Sequence, residues 1–599
     1  MISRIHHAFP AVLVVLAAAG TALPGCAAEP PRRPALNVCN KPDLPPDALC
    51  GTYKVFENRA ARTGRKVPLA VVVLPATGPA AQRLPDPITY FAGGPGDASI
   101  PEGLFFAGEL ASLRPKRDVL LVDLRGTGQS GGLFCPEVQG KQGVQDFLDN
   151  FLPTGQIHAC RDRLKKEVDL AWYTSDTAID DVEELRRALG YGPLNLIGGS
   201  YGTRAVLTYL RRHPRSVRTA TLLGVVTPDE KYPLGTARSS QKALDGWIAE
   251  CEGDAACRGA FPDLRQEVDA VLRRAATDPV RVELTDPATG KPSELRLGHK
   301  AVAQTLRYML YSTSGAVLLP LTIHQAAQGD WQPLAQAARL HGSVMSSAAD
   351  GFYQSVTCAE DVPFIREGEV AAAVAGTFLG DFRIRQQQAA CQGWPVRKLG
   401  PETRSPVVSD VPALLVSGER DPATPAENGE RVVRTLKRGR HLVIADAGHS
   451  PQGMLGGECL SGTIAAFIAA GAAEGLDTSC IAAMRRTDFV LSAGDPEVKA
   501  APAELARLVG SYANPEKGLV ATVAVAGNRL RLTFSDGYVL LLIPTAPTRF
   551  RFEGQGPQET ATFQVTGERA TSLTLSRPGD PDLVLTRVAI KATQPETGP

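Results

Sequence analysis

The stretch "LNLIGGSYGTR", residues 194–204, decides how the chain is read. An apolar run ends in two glycines, a serine follows, and another glycine stands two residues on. "TRAVLTYLRRHP", residues 203–214, then continues at helical spacing. Gly198-Gly199-Ser200-Tyr201-Gly202 fits G-x-S-x-G, and a strand before it with a helix after it is the setting that holds a serine out as a nucleophile. The flanking glycines permit the tight turn and let the helix come close. The bland reading is a serine in a glycine-rich turn, so partners elsewhere have to decide.

Outward from this stretch, short apolar runs alternate with helix-like segments. "KVPLAVVVLPA" (66–76), "DPITYFAGG" (86–94), "RDVLLVDLRG" (117–126) and "VRTATLLGVV" (217–226) read as strands, several apolar throughout. Such runs suit a parallel sheet covered on both faces. Between them, residues 177–190 space Ile179, Val182, Leu185 and Leu189 on one helical face and end at a glycine. This alternation predicts an α/β core over residues 38–227. Residues 228–405 read as mainly helical, interrupted by a hairpin-like pair at 280–284 and 293–297. The strand pattern returns over 406–485, so the helical block is an insertion that caps the sheet. Residues 501–599 alternate at period two, with Leu530, Leu532 and Phe534, then Phe550 and Phe552, then Phe563 and Val565, and predict a small antiparallel β-domain.

At 599 residues the chain is too long for one core. Its formal net charge of +1 and the lack of any long run of like charge give no electrostatic reason for a nucleic-acid partner. Residues 1–26 carry Arg4, an apolar stretch and small residues, the pattern of a secretory signal. Leu23-Pro24-Gly25-Cys26 resembles a bacterial lipobox, in which Cys26 becomes lipidated and attaches the chain to a membrane; the other reading is cleavage near Ala28. Without Cys26, ten of the 11 cysteines remain, an even set that suggests disulfides in an exported chain. Sequential neighbours give Cys39–Cys50, Cys135–Cys160, Cys251–Cys257, Cys358–Cys391 and Cys459–Cys480 as the expected pairs. With no paired CxxC and no HExxH, neither a metal site nor a cofactor is expected.

A serine nucleophile needs a base, and the base needs an orienting carboxylate. In the strand–turn–helix setting the chain order is Ser, then Asp or Glu, then His. His299, His324 and His341 fall in the helical insertion, and His441 begins a strand. His449, in "ADAGHS", lies just past that strand, and Asp421, in "SGERDPATP", lies at the equivalent place after the preceding one. Glu419 is the weaker rival, closer to its strand end. The backbone N–H of Tyr201 and that of Gly94, in "FAGGPG", are the expected donors to a developing oxyanion. "GTGQSG", residues 126–131, fits a dinucleotide fingerprint, but no helix opens there as such a site would need.

Taken together, "GGPG", "DLRGTGQS", "GGSYGTR", "SGERDPATP" and "AGHS", in this order over residues 38–480, resemble the proline iminopeptidase and tripeptidyl aminopeptidase group of α/β-hydrolases. Ala92 stands where some members carry histidine, a departure from the iminopeptidase branch. The resemblance implies an α/β-hydrolase fold with a helical cap, and a serine exopeptidase in which Ser200 is nucleophile, Asp421 orienter and His449 base. The terminal β-domain resembles one appended to some bacterial serine hydrolases. Exopeptidases of this kind must recognise a free amino terminus, and Glu360 with Asp361, in "VTCAEDVPF", are the expected carboxylates. The leading expectation is an exported peptidase of the bacterial cell envelope, lipid-anchored or periplasmic. A carboxylesterase with the same machinery and a lipid-anchored binding protein with a retired site are the competing readings.

Overall fold

The computed structural model describes residues 34–39, 44–139, 144–286, 291–344, 348–517, 519–535 and 538–588. The expected signal segment and Cys26 lie outside the described residues. Strands β1 (Leu36–Val38), β2 (Leu49–Phe56), β3 (Lys66–Leu74), β4 (Ile88–Phe91), β5 (Val119–Val122), β6 (Leu194–Gly199) and β7 (Val217–Leu223) come first. A hairpin of β8 (Val280–Thr285) and β9 (Pro292–Leu297) follows, then β10 (Ala413–Gly418) and β11 (Gly439–Ile444). The hairpin stands apart, and the others form one nine-stranded sheet in the order β1-β2-β3-β5-β4-β6-β7-β10-β11.

From β5 to β11 all neighbours are parallel. Residues 66–76, expected in a parallel sheet, instead form β3, which is antiparallel to both β2 and β5. The link from β2 to β3 is too short for the crossover that parallel neighbours need, so β3 must double back. An apolar run records burial on both faces and not the direction of the strand.

Helices α1 (Ser99–Glu109), α2 (Ser175–Leu189) and α3 (Tyr201–Arg212) cover the sheet. Ile179, Val182 and Leu185 of α2 are fully buried, and Gly190, with φ +78°, ends the helix in a left-handed turn. Residues 126–131 fold as a turn and hold no helix: Asp123 accepts the N–H groups of Ile100 and Gln129, and Arg125 makes two bonds to Asp181 at 2.6 and 2.9 Å.

Between β7 and β10 the chain is mainly helical, including α4 (His299–Met309), α5 (Thr313–Ala327), α6 (Gln332–Val344), α7 (Asp350–Glu360) and α8 (Phe382–Cys391). This block has a core of its own, with Trp247, Leu306, Leu319 and Leu334 among its members. The five expected disulfides all form, and Cys358–Cys391 joins α7 to α8.

The C-terminal strands, from Gly510–Asn514 to Leu583–Val588, close into an eight-stranded antiparallel barrel. Leu530, Leu532, Phe550, Phe552 and Phe563 fill its interior, as their alternation implied. Closure removes the exposed edges that an open sheet would leave. Glu553 ties the barrel to the cap, because its buried carboxylate pairs with Arg339 of α6 and with Arg529 of the barrel. Lys517 likewise pairs with Glu109 of α1. Glu553→Gln leaves the buried Arg339 without its paired carboxylate, while Arg529 keeps Glu497, and should cost about 3 kcal/mol of stability, read as a lower denaturant midpoint; an unchanged midpoint would show that the pairing does not hold the barrel on.

Candidate active site

Ser200 stands between β6 and α3 with φ +53° and ψ −121°. Residues other than glycine avoid this region, at a cost of about 1–3 kcal/mol, so the surroundings must enforce it. Its N–H donates to Leu223 O at 2.8 Å, and its carbonyl accepts from Thr203 N (2.9 Å) and Thr203 Oγ1 (2.7 Å). A Cβ built on Gly202 would lie 2.0 Å from Phe91 O, so only glycine lets α3 seat directly on the end of β4. Tyr201 is the first residue of α3, and its N–H has no acceptor within the helix. Gly94 lies in the loop after β4, which is hydrogen-bonded to β6. Both expected oxyanion donors therefore stand at one edge of the sheet, and α3 adds the positive end of its dipole there.

Asp421 and His449 follow β10 and β11 at the same edge. His449 Nδ1 lies 2.7 Å from Asp421 Oδ2. Thr424 supports the carboxylate, donating Oγ1–H to Oδ2 at 2.7 Å, while the N–H groups of Ala423 and Thr424 bond Oδ1 at 2.7 and 2.8 Å. Burial alone would raise the Asp421 carboxyl, but His449 and the Thr424 donors hold it below its ordinary value. It is an anion at neutral pH and keeps the proton on Nδ1, which leaves Nε2 to act as base. The ring of His449 rests on Gly224: a Cβ there would lie 3.0 Å from Cε1 and 2.9 Å from Thr424 Oγ1. Ser200 is held by Leu223 and His449 packs on Gly224, so both flank one pair of residues. Among the described residues no hydrogen bond joins Ser200 Oγ to His449, and bonds of this kind commonly close only when substrate arrives.

The rival residues lie elsewhere. His441 meets Ser417 Oγ at 3.0 Å, His324 pairs with Glu267 at 2.8 Å, and Glu419 accepts the N–H of Asp446 at 3.1 Å.

Two acids beside the nucleophile were missed in the sequence. A Cβ built on Gly93 would lie 3.4 Å from Ser200 Cβ and 3.5 Å from Asp97 Oδ2, so Ser200 and Asp97 flank the same glycine. Glu102, one turn into α1, accepts Tyr90 OH at 2.8 Å. Burial, then the charge of Asp97, push the Glu102 carboxyl well up, while Tyr90 and the Gly93 N–H pull the other way; burial also raises Asp97. Asp97 directly follows "GGPG", a signal available to a reader seeking charge in the oxyanion loop.

Glu360 and Asp361 are not where the sequence reading expected them to act. Asp361 is fully buried and makes two bonds to Arg204 of α3, at 2.8 and 3.0 Å. Glu360 accepts Ser175 N–H at 2.7 Å and Ser175 Oγ–H at 2.8 Å. Burial pushes the Glu360 carboxyl up to about 7 against the pull of Arg204 and Ser175. The small cavity that Glu360 lines is walled by Arg204, Thr208 and Arg212, and Ser200 is not part of it. Both carboxylates brace the cap against α2 and α3 and leave no free charge for a substrate amine.

Two family models match the chain, the alpha/beta hydrolase fold over residues 86–251 and the TAP-like protein over residues 376–480. The first stretch contains Ser200, the second Asp421 and His449. The serine protease Hip1 of Mycobacterium tuberculosis is 27% identical over 483 residues, which span 73% of this chain and 88% of that protein. The tripeptidyl aminopeptidase of Streptomyces coelicolor is 23% identical over 482 residues, 73% of this chain and 84% of that one.

Asp421→Asn should lower kcat by about 10⁴-fold with KM little changed, since the ring then loses the partner that fixes its tautomer; a loss below tenfold contradicts the orienting role. The folded state keeps a proton on Glu102 that the unfolded chain releases above about pH 4.3. This carboxyl therefore costs stability progressively as pH rises from there into the alkaline range. Glu102→Gln should raise Tm relative to the unsubstituted protein at pH 9 and by less at pH 5; a uniform change contradicts the buried-acid reading.

Proposed function

We propose that this chain, an α/β-hydrolase of the tripeptidyl aminopeptidase-like family and a serine hydrolase, is an exported aminopeptidase that releases residues or short peptides from a free amino terminus. The observation that carries the reading is the 2.7 Å bond between Asp421 and His449 at the edge where Ser200 is held out on its turn. Ser200 Oγ attacks the scissile carbonyl while His449 Nε2 takes its proton. The N–H groups of Tyr201 and Gly94 receive the oxyanion, each worth about 10²–10³ in rate. His449 returns the proton to the leaving amine, and water then releases the acyl group by the same route in reverse.

That matched relatives are named serine protease and tripeptidyl aminopeptidase supports a peptide rather than an ester as substrate. Asp97, set beside Gly93, replaces Glu360 and Asp361 as the charge that attracts a substrate amine, while the neighbouring Glu102 keeps its proton. Five disulfides support export, and no helix among the described residues is long and apolar enough to cross a membrane. Residues 1–26 supply the signal, and lipidated Cys26 would be the anchor.

Peptidyl anilides matched but for a free or acetylated amino terminus test the reading. The free-amine member should have kcat/KM higher by about a hundredfold, the worth of a buried charge-assisted contact. Asp97→Asn should raise KM for that member more than it lowers kcat. Hydrolysis of short-chain esters with no turnover of either anilide would make the chain a carboxylesterase.

A further inference from the structure

Among the described residues, Arg307 of α4 and Arg383 of α8 are 1% and 3% exposed, and neither makes an ion pair. The other buried arginines each have a carboxylate: Arg117 has Asp86, Arg125 has Asp181, Arg204 has Asp361 and Arg339 has Glu553. Taking a guanidinium out of water with no counter-charge costs several kcal/mol, so two such residues in one place call for a partner.

Their surroundings are aromatic. The Arg307 guanidinium sits 4.9 Å from the ring centre of Tyr311 and 5.4 Å from that of Tyr308, and Arg383 sits 3.4 Å from that of Phe151. Each donates one bond to a phenol, Arg307 to Tyr311 OH at 2.6 Å and Arg383 to Tyr232 OH at 2.7 Å. Cation–π contact and one neutral acceptor offset only part of the desolvation. Among the described residues, Arg307 Nε and Arg383 Nε and Nη1 are buried and meet no acceptor. Burial would raise the Tyr232 phenol, yet Arg383 and then Arg307 pull it below its ordinary value, a sign of concentrated positive charge.

The cluster adjoins the candidate active site. The Tyr311 ring meets the His449 ring edge-on with centres 5.2 Å apart, and Tyr311 O accepts the N–H of Ser450 at 2.8 Å. Tyr232, Tyr308, Tyr311 and Tyr353 are half-buried, so they border open space while the arginine heads lie behind them.

We infer that Arg307 and Arg383 form a subsite for a carboxylate of the substrate, beside Ser200 and His449. This rests on the hydrolytic reading above and narrows its substrates to peptides with an acidic group near the cleaved bond. A planar carboxylate matches the fork of a guanidinium and would satisfy the orphaned N–H groups. It comes either from an Asp or Glu side chain or from a free carboxyl terminus.

Two sets of substrates test this on the full-length, disulfide-bonded protein. One set differs only by Glu against Gln at either residue flanking the cleaved bond, the other only by a free against an amidated carboxyl terminus. The carboxylate member of at least one set should have kcat/KM higher by about tenfold or more, and the set that responds identifies the source. Arg383→Gln and Arg307→Gln should bring that ratio towards one, and Arg383→Lys should keep part of it. Ratios at or below one in both sets overturn the inference; where a variant fails to fold, the ratios of the unsubstituted protein decide. Should only esters be hydrolysed, the aminopeptidase reading fails and the subsite is read separately, from labelling of Ser200 by a fluorophosphonate. Protection by glutarate and not by glutaramide then supports the subsite, and equal labelling with both overturns it.

Discussion

Everything in the site depends on holding Ser200 in a backbone conformation that its side chain disfavours. No single bond does this. The Leu223 carbonyl fixes the Ser200 N–H, Thr203 fixes its carbonyl from within the next helix, and the missing side chain of Gly202 lets that helix press on Phe91. The strain is local, whereas the contacts that oppose it reach into two strands of the sheet, β4 and β7, and into α3. That distribution explains why a parallel sheet buried on both faces is a good platform, since its strand ends cannot drift independently.

Charge is arranged with the same economy of position. Asp421 is buried and yet remains an anion because four donors converge on it. Asp97 and Glu102 are buried with fewer donors, so burial drives them towards the protonated state. Carboxylates of one site thus hold different charge, and the difference follows from the number of donors facing each. Buried cations follow the converse rule. Arg125 and Arg204 are neutralised within the fold, while Arg307 and Arg383 are not.

Much of this was legible in the sequence. The apolar runs marked strands because both faces are covered, and the Ser, Asp, His order of the strand–turn–helix setting, with the strand ends, singled out Ser200, Asp421 and His449. Cysteine pairing by sequential neighbours worked because each pair closes a local loop. What the sequence concealed was long-range. The direction of β3 depends on a short connection and not on its composition, and the closure of the barrel depends on pairing between its first and last strands. Glu360 and Asp361 looked like free loop acids because Arg204, the residue that claims Asp361, lies 157 positions away. Glu102 joins Asp97 only because a helical turn returns it to the oxyanion loop. No pattern in a sequence tells a paired arginine from an unpaired one.

The central claim is that Ser200, His449 and Asp421 act as one unit facing the amides of Gly94 and Tyr201. A crystal structure of the protein treated with a peptidyl phosphonate ester tests it most directly. The expected map has phosphorus bonded to Ser200 Oγ, one phosphoryl oxygen about 2.7–3.1 Å from both amide nitrogens, and His449 Nε2 turned to the adduct with Nδ1 still on Asp421. An adduct on any other residue, or an imidazole that stays out of reach of the modified serine, would contradict it.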